Sequence, residues 1–249
     1  MARGLIPFDK RKLGIASGLT GIDEAGRGCL AGPVVAAAVY CRKSFYTSGW
    51  CRRHSRGVDD SKRLSPGKRA AIVERFKEAC HENWLHIGIG MASVEEIERH
   101  NIYQATVLAM RRAVSRVFPG NKDVLWQSDS DEQAGPILID GKPIRSFPLS
   151  HEGIVKGDQR SLAIALAGIH AKERRDGLMR EMEIQYPQYG FSAHKGYGTK
   201  VHLEAIRQFG ISPVHRPSFL VKFKKRMEEE PGIVQDSLFR GKSSGISKL

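Results

Sequence analysis

Several common signatures are missing from this sequence, and each absence removes a class of protein. No apolar run approaches the length of about 18 residues that a membrane-spanning helix needs. Residues 1–18 include basic side chains but neither a long apolar segment nor a clear cleavage site, so we expect no secretory signal. The 4 cysteines form no Cys-x-x-Cys pair. This argues against a zinc ribbon or a redox dithiol and favours a reducing cytoplasm.

Familiar catalytic and nucleotide-binding motifs are absent or stand in the wrong context. The sequence has no Gly-x-Ser-x-Gly elbow and no His-Glu-x-x-His pair. Residues 26–31 match the dinucleotide pattern G-x-G-x-x-A, but a helix must follow it, and here Gly32-Pro33 and an apolar strand follow instead. Residues 241–243 resemble the end of a phosphate-binding loop, yet Asp236 stands where the loop needs its first glycine.

Positive charge is abundant. The 249 residues contain 40 Lys and Arg against 27 Asp and Glu, which gives a formal net charge of +13 and a pI of about 9.8. Such a protein suits a polyanionic partner, of which nucleic acid is the commonest. A solvated basic surface is the alternative. Charge alone leaves both interpretations open and indicates no chemistry.

The hydrophobic pattern mixes strands with helices and predicts an α/β or α+β domain built on a mixed sheet. Strands are predicted over 18–24 and 34–40 as a hairpin, over 85–91 by alternation, and over 137–141 as a short buried strand. Capping signals predict helices that begin at Ser65-Pro66 and near Ser93 and Glu96. The remaining helices are predicted over 102–118, 159–183 and 199–209.

The sequence divides into three predicted parts. Residues 1–17 are an N-terminal extension, residues 18–227 form the folded domain, and residues 228–249 form a tail that we expect to be disordered because it is rich in charge, Pro and Gly. Within the folded domain, residues 42–63 are interpreted as a basic connection. Residues 119–136 are polar and rich in turn-forming residues.

Four carboxylates stand at the ends of predicted elements. Asp23 and Glu24 follow the first strand directly, Asp140 ends a short strand, and Asp158 precedes a helix. Acidic side chains at strand ends and helix starts can converge at one edge of a sheet. A hard cation such as Mg²⁺ or Mn²⁺ would offset their repulsion, and two such ions can promote phosphodiester cleavage. Alternatively, Asp158 is a helix cap and Asp140 a turn residue.

These residues belong to motifs that resemble ribonuclease HII, the bacterial type 2 ribonuclease H. The segment Gly-Ile-Asp-Glu-Ala-Gly-Arg-Gly at 21–28 resembles the family's opening motif, and His-Lys-Gly-Tyr-Gly-Thr at 194–199 resembles a later one. The resemblance runs in order from about residue 18 to 223. The other matching segments are 31–39, 60–65, 138–141, 156–158, 171–176, 186–191 and 215–219.

The resemblance implies an RNase H-like fold, with a central mixed sheet flanked by helices and a helical C-terminal part. It implies a two-metal endonuclease that cuts RNA paired with DNA, or single ribonucleotides embedded in duplex DNA, leaving 5′-phosphate and 3′-hydroxyl ends. The implied metal ligands and catalytic residues are Asp23, Glu24, Asp140 and Asp158. A catalytically silent nucleic-acid-binding relative and a nuclease of the ribonuclease HI type remain as alternatives, although the four acids disfavour the first and the motifs disfavour the second.

The resemblance also assigns substrate-binding roles. Residues Gly26, Arg27 and Gly28 would read the 2′-hydroxyl, because glycines let the backbone approach the sugar. Tyr197 would stack on a sugar at the RNA–DNA junction, and Ser61 with Lys62 would contact phosphate. As alternatives, Tyr197 is a core residue and Lys62 an ordinary surface charge.

The sequence departs from the family pattern at a few places. The segment 165–168, Ala-Leu-Ala-Gly, replaces a usual Ser-Ala-Ala-Ser and so lacks both hydroxyls. Cys29 replaces a usual proline, and residues 42–58 and 127–136 look inserted. These differences spare the four acids but affect the expected geometry of substrate binding.

A short motif in the predicted tail suggests a further partner. Gln235-Asp236-Ser237-Leu238-Phe239 resembles the peptide that bacterial proteins use to dock on the DNA polymerase sliding clamp. Gln235, Leu238 and Phe239 would contact the clamp, with the two apolar side chains as anchors. Alternatively, these side chains pack on the body of the protein. We expect RNA–DNA hybrid and ribonucleotide-containing DNA as substrates, no membrane partner, and a monomer.

Overall fold

A computed structural model describes residues 4–118 and 135–221, which contain a five-stranded mixed sheet in the order β3-β2-β1-β4-β5. The central strand β1 pairs antiparallel with β2 and parallel with β4. The outer pairs are β2 with β3, antiparallel, and β4 with β5, parallel. The strands are β1 Gly18–Ala25, β2 Val34–Arg42, β3 Leu85–Ala92, β4 Ile137–Asp140 and β5 Glu152–Ile154. The predicted fold class and the β1–β2 hairpin are therefore confirmed.

Helices occupy most of the rest of the described chain. Ser65 caps α4 by accepting from the amide of Lys68, and Ser93 and Glu96 form a complete capping box at the start of α5. Asn101 has φ of 62° and interrupts α5, so the structure keeps the predicted break between two helical segments. The helices are α1 Leu5–Leu13, α2 Lys43–Thr47, α3 Gly49–His54, α4 Pro66–His81, α5 Val94–Val117, α6 Leu162–Gln185, α7 Phe191–His194 and α8 Lys200–Phe209. Short 3₁₀ turns cover Gly157–Gln159 and Pro187–Tyr189.

The two long helices α5 and α6 cover opposite faces of the sheet. Side chains on one face of β2 join the core beneath α6, and those on the other face join the core beneath α5. Gly88 and Gly90 of β3 allow α5 to approach closely, because a Cβ atom at either would collide with a backbone carbonyl of α5, that of Ala113 or Ala109. With both faces covered, the apolar character of β2 along its whole length follows directly.

The segment 42–63, interpreted from the sequence only as a basic connection, contains two short helices that were not predicted, α2 and α3. Phe45, Tyr46 and Trp50 of these helices are buried, and Phe45 and Trp50 pack with Phe76 of α4. Each helix spans at most 6 residues, which is too short for a 3.6-residue period to show in the sequence. Burial of their aromatic rings against the body stabilises them instead.

The N-terminal segment contains α1, which packs on the body of the protein. Leu5, Phe8 and Leu13 of α1 join the core beneath α6. Asp9 is fully buried, and its Oδ2 atom accepts from the hydroxyl of Tyr46 at 2.9 Å and from the amide of Ala163 at 3.0 Å. Asp9 thus joins α1, α2 and the first turn of α6.

Two sequence expectations concern covalent and membrane features. All four cysteines are free thiols. Of the helices within residues 4–118 and 135–221, none is long and apolar enough to cross a membrane. Most of the predicted insertion at 127–136 and the whole of the predicted tail lie outside the described residues.

Candidate active site

The candidate carboxylates come from neighbouring strands that end at the same edge of the sheet. Asp23 lies near the end of β1, and Asp140 is the last residue of β4. Because Ile22 pairs with Ile139 in parallel register, Asp23 and Asp140 occupy equivalent positions on adjacent strands. Asp158 lies in the 3₁₀ turn that follows β5. The topology therefore gathers carboxylates whose positions span more than 130 residues of sequence.

Hydrogen bonds to backbone amides hold two of these carboxylates. Asp23 Oδ1 accepts from the amide of Glu24 at 2.7 Å, and Asp140 Oδ1 accepts from the amide of Gly157 at 2.7 Å. The other oxygen of Asp23 lies against Gly168 of α6, where a Cβ atom would collide with it. The missing side chain at 168 thus gives the Asp23 carboxylate its space.

Burial and mutual repulsion raise the pKa values of Asp23 and Asp158. Burial raises the pKa of Asp23 well above its usual value, and the charge of Glu24 raises it further. The more distant charges of Asp140 and Asp158 act on Asp23 in the same direction. Burial and then the charge of Asp140 raise the pKa of Asp158 to about 6. A cluster of this kind gains stability from a cation.

Glu24 has a cationic neighbour in the same loop. Burial raises the pKa of Glu24, whereas the guanidinium of Arg27 opposes this rise through charge and a hydrogen bond. Arg27 Nη1 lies 3.1 Å from Glu24 Oε1, and the arginine side chain is about half exposed. Glu24 is therefore held toward Arg27 in this structure.

All-oxygen donors fit a hard cation such as Mg²⁺ or Mn²⁺. Within residues 4–118 and 135–221, however, no three Asp, Glu, His or Cys side chains lie close enough together to hold one ion. Coordination by this set would require side chains such as Glu24 to rotate. The chemistry of the donor set and the raised pKa values of Asp23 and Asp158 nevertheless fit a divalent ion.

The loop with the Gly-Arg-Gly motif rests on two buried arginines, for which the sequence predicted no role. Arg216 donates from Nε and Nη2 to the carbonyl of Gly32 and from Nη1 to the carbonyl of Arg27, at 2.7–3.0 Å. Arg175 donates to three further carbonyls, those of Ala31, Pro33 and Lys195, at 2.8–3.2 Å. Both guanidinium groups are fully buried. They hold the loop by its backbone carbonyls.

The glycines of this loop have different surroundings. Gly26 has φ of 94°, and a Cβ atom there would collide with the guanidinium of Arg175. A Cβ atom at Gly28 would meet nothing within 4 Å, so this glycine faces open space. Gly26 is thus required by the fold, whereas the space beside Gly28 is available to a ligand.

Lys62 lies beside the carboxylates, and Tyr197 lies beside Cys29 of the loop with the Gly-Arg-Gly motif. Tyr197 is 41% exposed, which does not fit a core residue. The Lys62 ammonium lowers the pKa of both Glu24 and Asp158, so it lies near both. Ser61 is only 8% exposed, and its carbonyl accepts from Arg69 at 3.2 Å. Its hydroxyl is therefore less accessible than the Lys62 side chain.

Asp60 is a further acidic residue that the sequence interpretation left without a role. Its charge raises the pKa of Asp158, and its Oδ2 atom lies 3.5 Å from Gln159 Nε2. Its Oδ1 atom accepts from the amide of Lys62 at 2.9 Å. The signal in the sequence was its position directly before Ser61-Lys62. The predicted docking residues Gln235, Leu238 and Phe239 lie outside the described residues.

Comparison with known proteins adds a family. Residues 20–222 match the family model described as Ribonuclease HII. The chain is 46% identical over 201 residues to ribonuclease HII of Geobacillus kaustophilus, covering 81% of this chain and 67% of the relative. It is 43% identical over 218 residues to ribonuclease HII of Thermotoga maritima, covering 87% and 77%.

Solved structures share the fold. The structure of the PCNA:RNase HII complex from Archaeoglobus fulgidus matches with a TM-score of 0.62 and 20% identity, covering 88% of this chain and 99% of that one. The ribonuclease H2 of Pyrococcus horikoshii matches with a TM-score of 0.60 and 21% identity, covering 86% and 100%. Bst-RNase HIII in complex with Mn²⁺ matches with a TM-score of 0.60 and 17% identity, covering 90% and 73%.

Proposed function

Since this chain belongs to the ribonuclease HII family, we propose that its carboxylate cluster performs the family's reaction with two metal ions. The protein is a metal-dependent endoribonuclease that cleaves RNA in RNA–DNA hybrids and at ribonucleotides embedded in DNA. The observation that carries the site assignment is the convergence on Asp23, whose pKa is raised by burial and by the charges of Glu24, Asp140 and Asp158 together.

The proposed metal ligands are Asp23, Glu24, Asp140 and Asp158, and the metal is Mg²⁺ or Mn²⁺. Such ions supply an activated water and stabilise the leaving oxygen of an in-line displacement. Asp140 is oriented by the amide of Gly157, and Asp23 by the amide of Glu24 and the space beside Gly168. The products would carry a 5′-phosphate and a 3′-hydroxyl. The free cysteines fit a reducing cytoplasm.

Substrate recognition is assigned to the loops that border the carboxylates. The backbone at Gly26, Arg27 and Gly28 would approach the ribose, and the open space at Gly28 supports this role. Tyr197 would stack at the RNA–DNA junction with its exposed ring. Lys62 would contact phosphate, with Ser61 contributing through the fold of its loop.

Substitution of the carboxylates tests the site. We expect Asp23→Asn and Asp140→Asn each to abolish cleavage of a duplex that contains one ribonucleotide, at saturating Mg²⁺. Duplex binding should be nearly unchanged, because the basic surface supplies affinity through counterion release. Glu181→Gln is the matched control, since Glu181 is exposed and forms only a surface ion pair with Arg174. Near-normal cleavage by Asp23→Asn would remove it from the site.

A second proposal concerns the motif at 235–239. Docking on the DNA polymerase sliding clamp would concentrate the enzyme at newly made DNA, where misplaced ribonucleotides arise. The support is the motif itself and the PCNA complex of the Archaeoglobus fulgidus relative. Calorimetric titration with the organism's own clamp tests it, with Leu238→Ala plus Phe239→Ala as the variant. Equal binding by parent and variant, or no binding by the parent, would exclude docking through this motif.

A further inference from the structure

Two buried histidines link the Tyr197 loop to the segment that carries Arg216. His202 is fully buried and His215 is 1% exposed, and their Nε2 atoms lie 3.1 Å apart. His202 Nδ1 lies 2.9 Å from the carbonyl oxygen of Tyr197. At the other end, the amide of Ser212 donates to His215 Nδ1 at 2.9 Å. Every ring nitrogen of the pair therefore has a partner.

These partners allow only one arrangement of protons in the neutral pair. A carbonyl oxygen can only accept, so His202 carries its proton on Nδ1. The amide of Ser212 can only donate, so His215 has a lone pair on Nδ1, to which the Ser212 hydroxyl at 2.8 Å can also donate, and its proton on Nε2. His215 Nε2–H then donates to His202 Nε2. A proton added to His202 would bring two N–H groups face to face between the rings.

Burial favours this neutral arrangement. It lowers the pKa of His202 and of His215 to about 4, and the other rings of the cluster act in the same direction. His194 stacks on His202 with ring centroids 4.3 Å apart, and its own nitrogens contact the carbonyl of Tyr189 and the amide of Gly196. The rings of His194, His202 and His215 therefore pack together against the backbone of the loop 194–199.

The same histidines are tied to the Gly-Arg-Gly loop from behind. His215 forms an isolated β-bridge with Ala31, and the next residue, Arg216, holds the carbonyls of Arg27 and Gly32. The amide of Leu30 donates to the carbonyl of Gly196 at 2.8 Å. The backbone of Tyr197 is thus connected through His202 and His215 to the loop proposed to read the ribose.

We propose that His202 and His215 are positioning residues that fix Tyr197 relative to the Gly-Arg-Gly loop and thereby set the preference for a ribonucleotide junction. Neither ring reaches the surface, so neither touches the substrate. The inference rests on the proposed junction-stacking role of Tyr197.

Histidine-detected ¹H–¹⁵N correlation spectroscopy on the full chain tests the proton arrangement directly. At pH 7 we expect His202 in the neutral Nδ1–H form and His215 in the neutral Nε2–H form, with assignment by single substitutions. A charged ring at pH 7, or a His202 proton on Nε2, would overturn the inference without any bearing on the activity.

A pair of substitutions tests the function of the arrangement. His202→Phe removes the donor to the Tyr197 carbonyl, whereas an Asn at 202 can still donate through its amide. The measured quantity is the rate of cleavage at a single ribonucleotide divided by the rate on a continuous RNA–DNA hybrid. We expect His202→Phe to lower this ratio by about tenfold through misplacement of Tyr197, and His202→Asn to restore most of it.

Tyr197→Ala serves as the reference variant that separates the proposed role of Tyr197 from the positioning role of His202 and His215. If Tyr197→Ala leaves the ratio unchanged, the proposed role of Tyr197 fails, and this inference fails with it. If Tyr197→Ala lowers the ratio and His202→Phe does not, the role of Tyr197 stands and the positioning role is overturned. A loss of stability alone would lower both rates together, which thermal unfolding of each variant would reveal.

Discussion

Removal of the Asp158 charge should stabilise the metal-free protein while impairing cleavage. The pKa of Asp158 is raised from 3.8 to about 6 by burial and by the charges of Asp140 and Asp60. Each unit of difference corresponds to about 1.4 kcal/mol. The full shift corresponds to a destabilisation of the folded protein by about 3 kcal/mol. We reduce this value to about 1–2 kcal/mol because the side chain is partly exposed to solvent. Asp158→Asn should therefore raise the melting temperature without metal by about 2–8 °C.

The pH dependence gives this prediction its sign. When the pKa of a carboxyl group is higher in the folded than in the unfolded protein, the free energy of unfolding falls as the pH rises from about 4 to about 6. Above that range the loss is constant. The difference in melting temperature between Asp158→Asn and the parent should therefore reach its full size at pH 8 and disappear below pH 4. Thermal unfolding in EDTA measures it, with Glu181→Gln as the control. Added Mg²⁺ should stabilise the parent more than the variant. A variant no more stable than the parent at pH 8, or a difference that persists at pH 4, would refute the reasoning.

Four further outcomes follow from the loops and the buried acid. Gly26→Ala should lower stability by about 1–3 kcal/mol in urea unfolding, because φ is positive and the methyl group meets Arg175. Gly28→Ala should keep parental stability yet slow cleavage at single ribonucleotides, and equal rates would show that no sugar enters this space. Tyr197→Ala should reduce the same cleavage by an amount equivalent to about 1–3 kcal/mol of stacking, and an unchanged rate would remove it from the site. Asp9→Ala should destabilise by about 1–3 kcal/mol, because it strands two buried donors. That loss should be larger at pH 4 than at pH 8, because the pKa of Asp9 is raised to about 6 and ionisation weakens the parent.

The central elements could be predicted because their signals are local. The apolar run of β2, the short strand that ends at Asp140 and the cap at Ser65 each depend on a few adjacent residues. The short helices α2 and α3 could not be found in this way, since their stability comes from aromatic packing against α4. The local sequence pattern indicates the secondary structure that a segment favours by itself. The structure of α2 and α3 depends instead on contacts with residues that are distant in sequence.

The candidate site likewise has features that the sequence could predict and features that it could not. The four acids were recognisable from strand ends and from the family resemblance, but the geometry that surrounds them was not. Arg175 and Arg216 act on carbonyls more than 140 positions earlier in the chain, and no periodicity or spacing reports such contacts. Asp60 was left without a role, although its Oδ1 atom accepts from the amide of Lys62 and its charge raises the pKa of Asp158.

The hydrogen bonds from Arg175 and Arg216 to the loop at 26–33 also affect the order in which parts of the protein can form during synthesis. The ribosome makes this loop before either arginine, and the guanidinium groups that donate to its carbonyls follow only after another 140 to 190 residues. Until Arg216 has emerged, the carbonyls of Arg27 and Gly32 lack their guanidinium donors. The loop proposed to read the ribose is therefore fully held only after the sheet and both covering helices have been made.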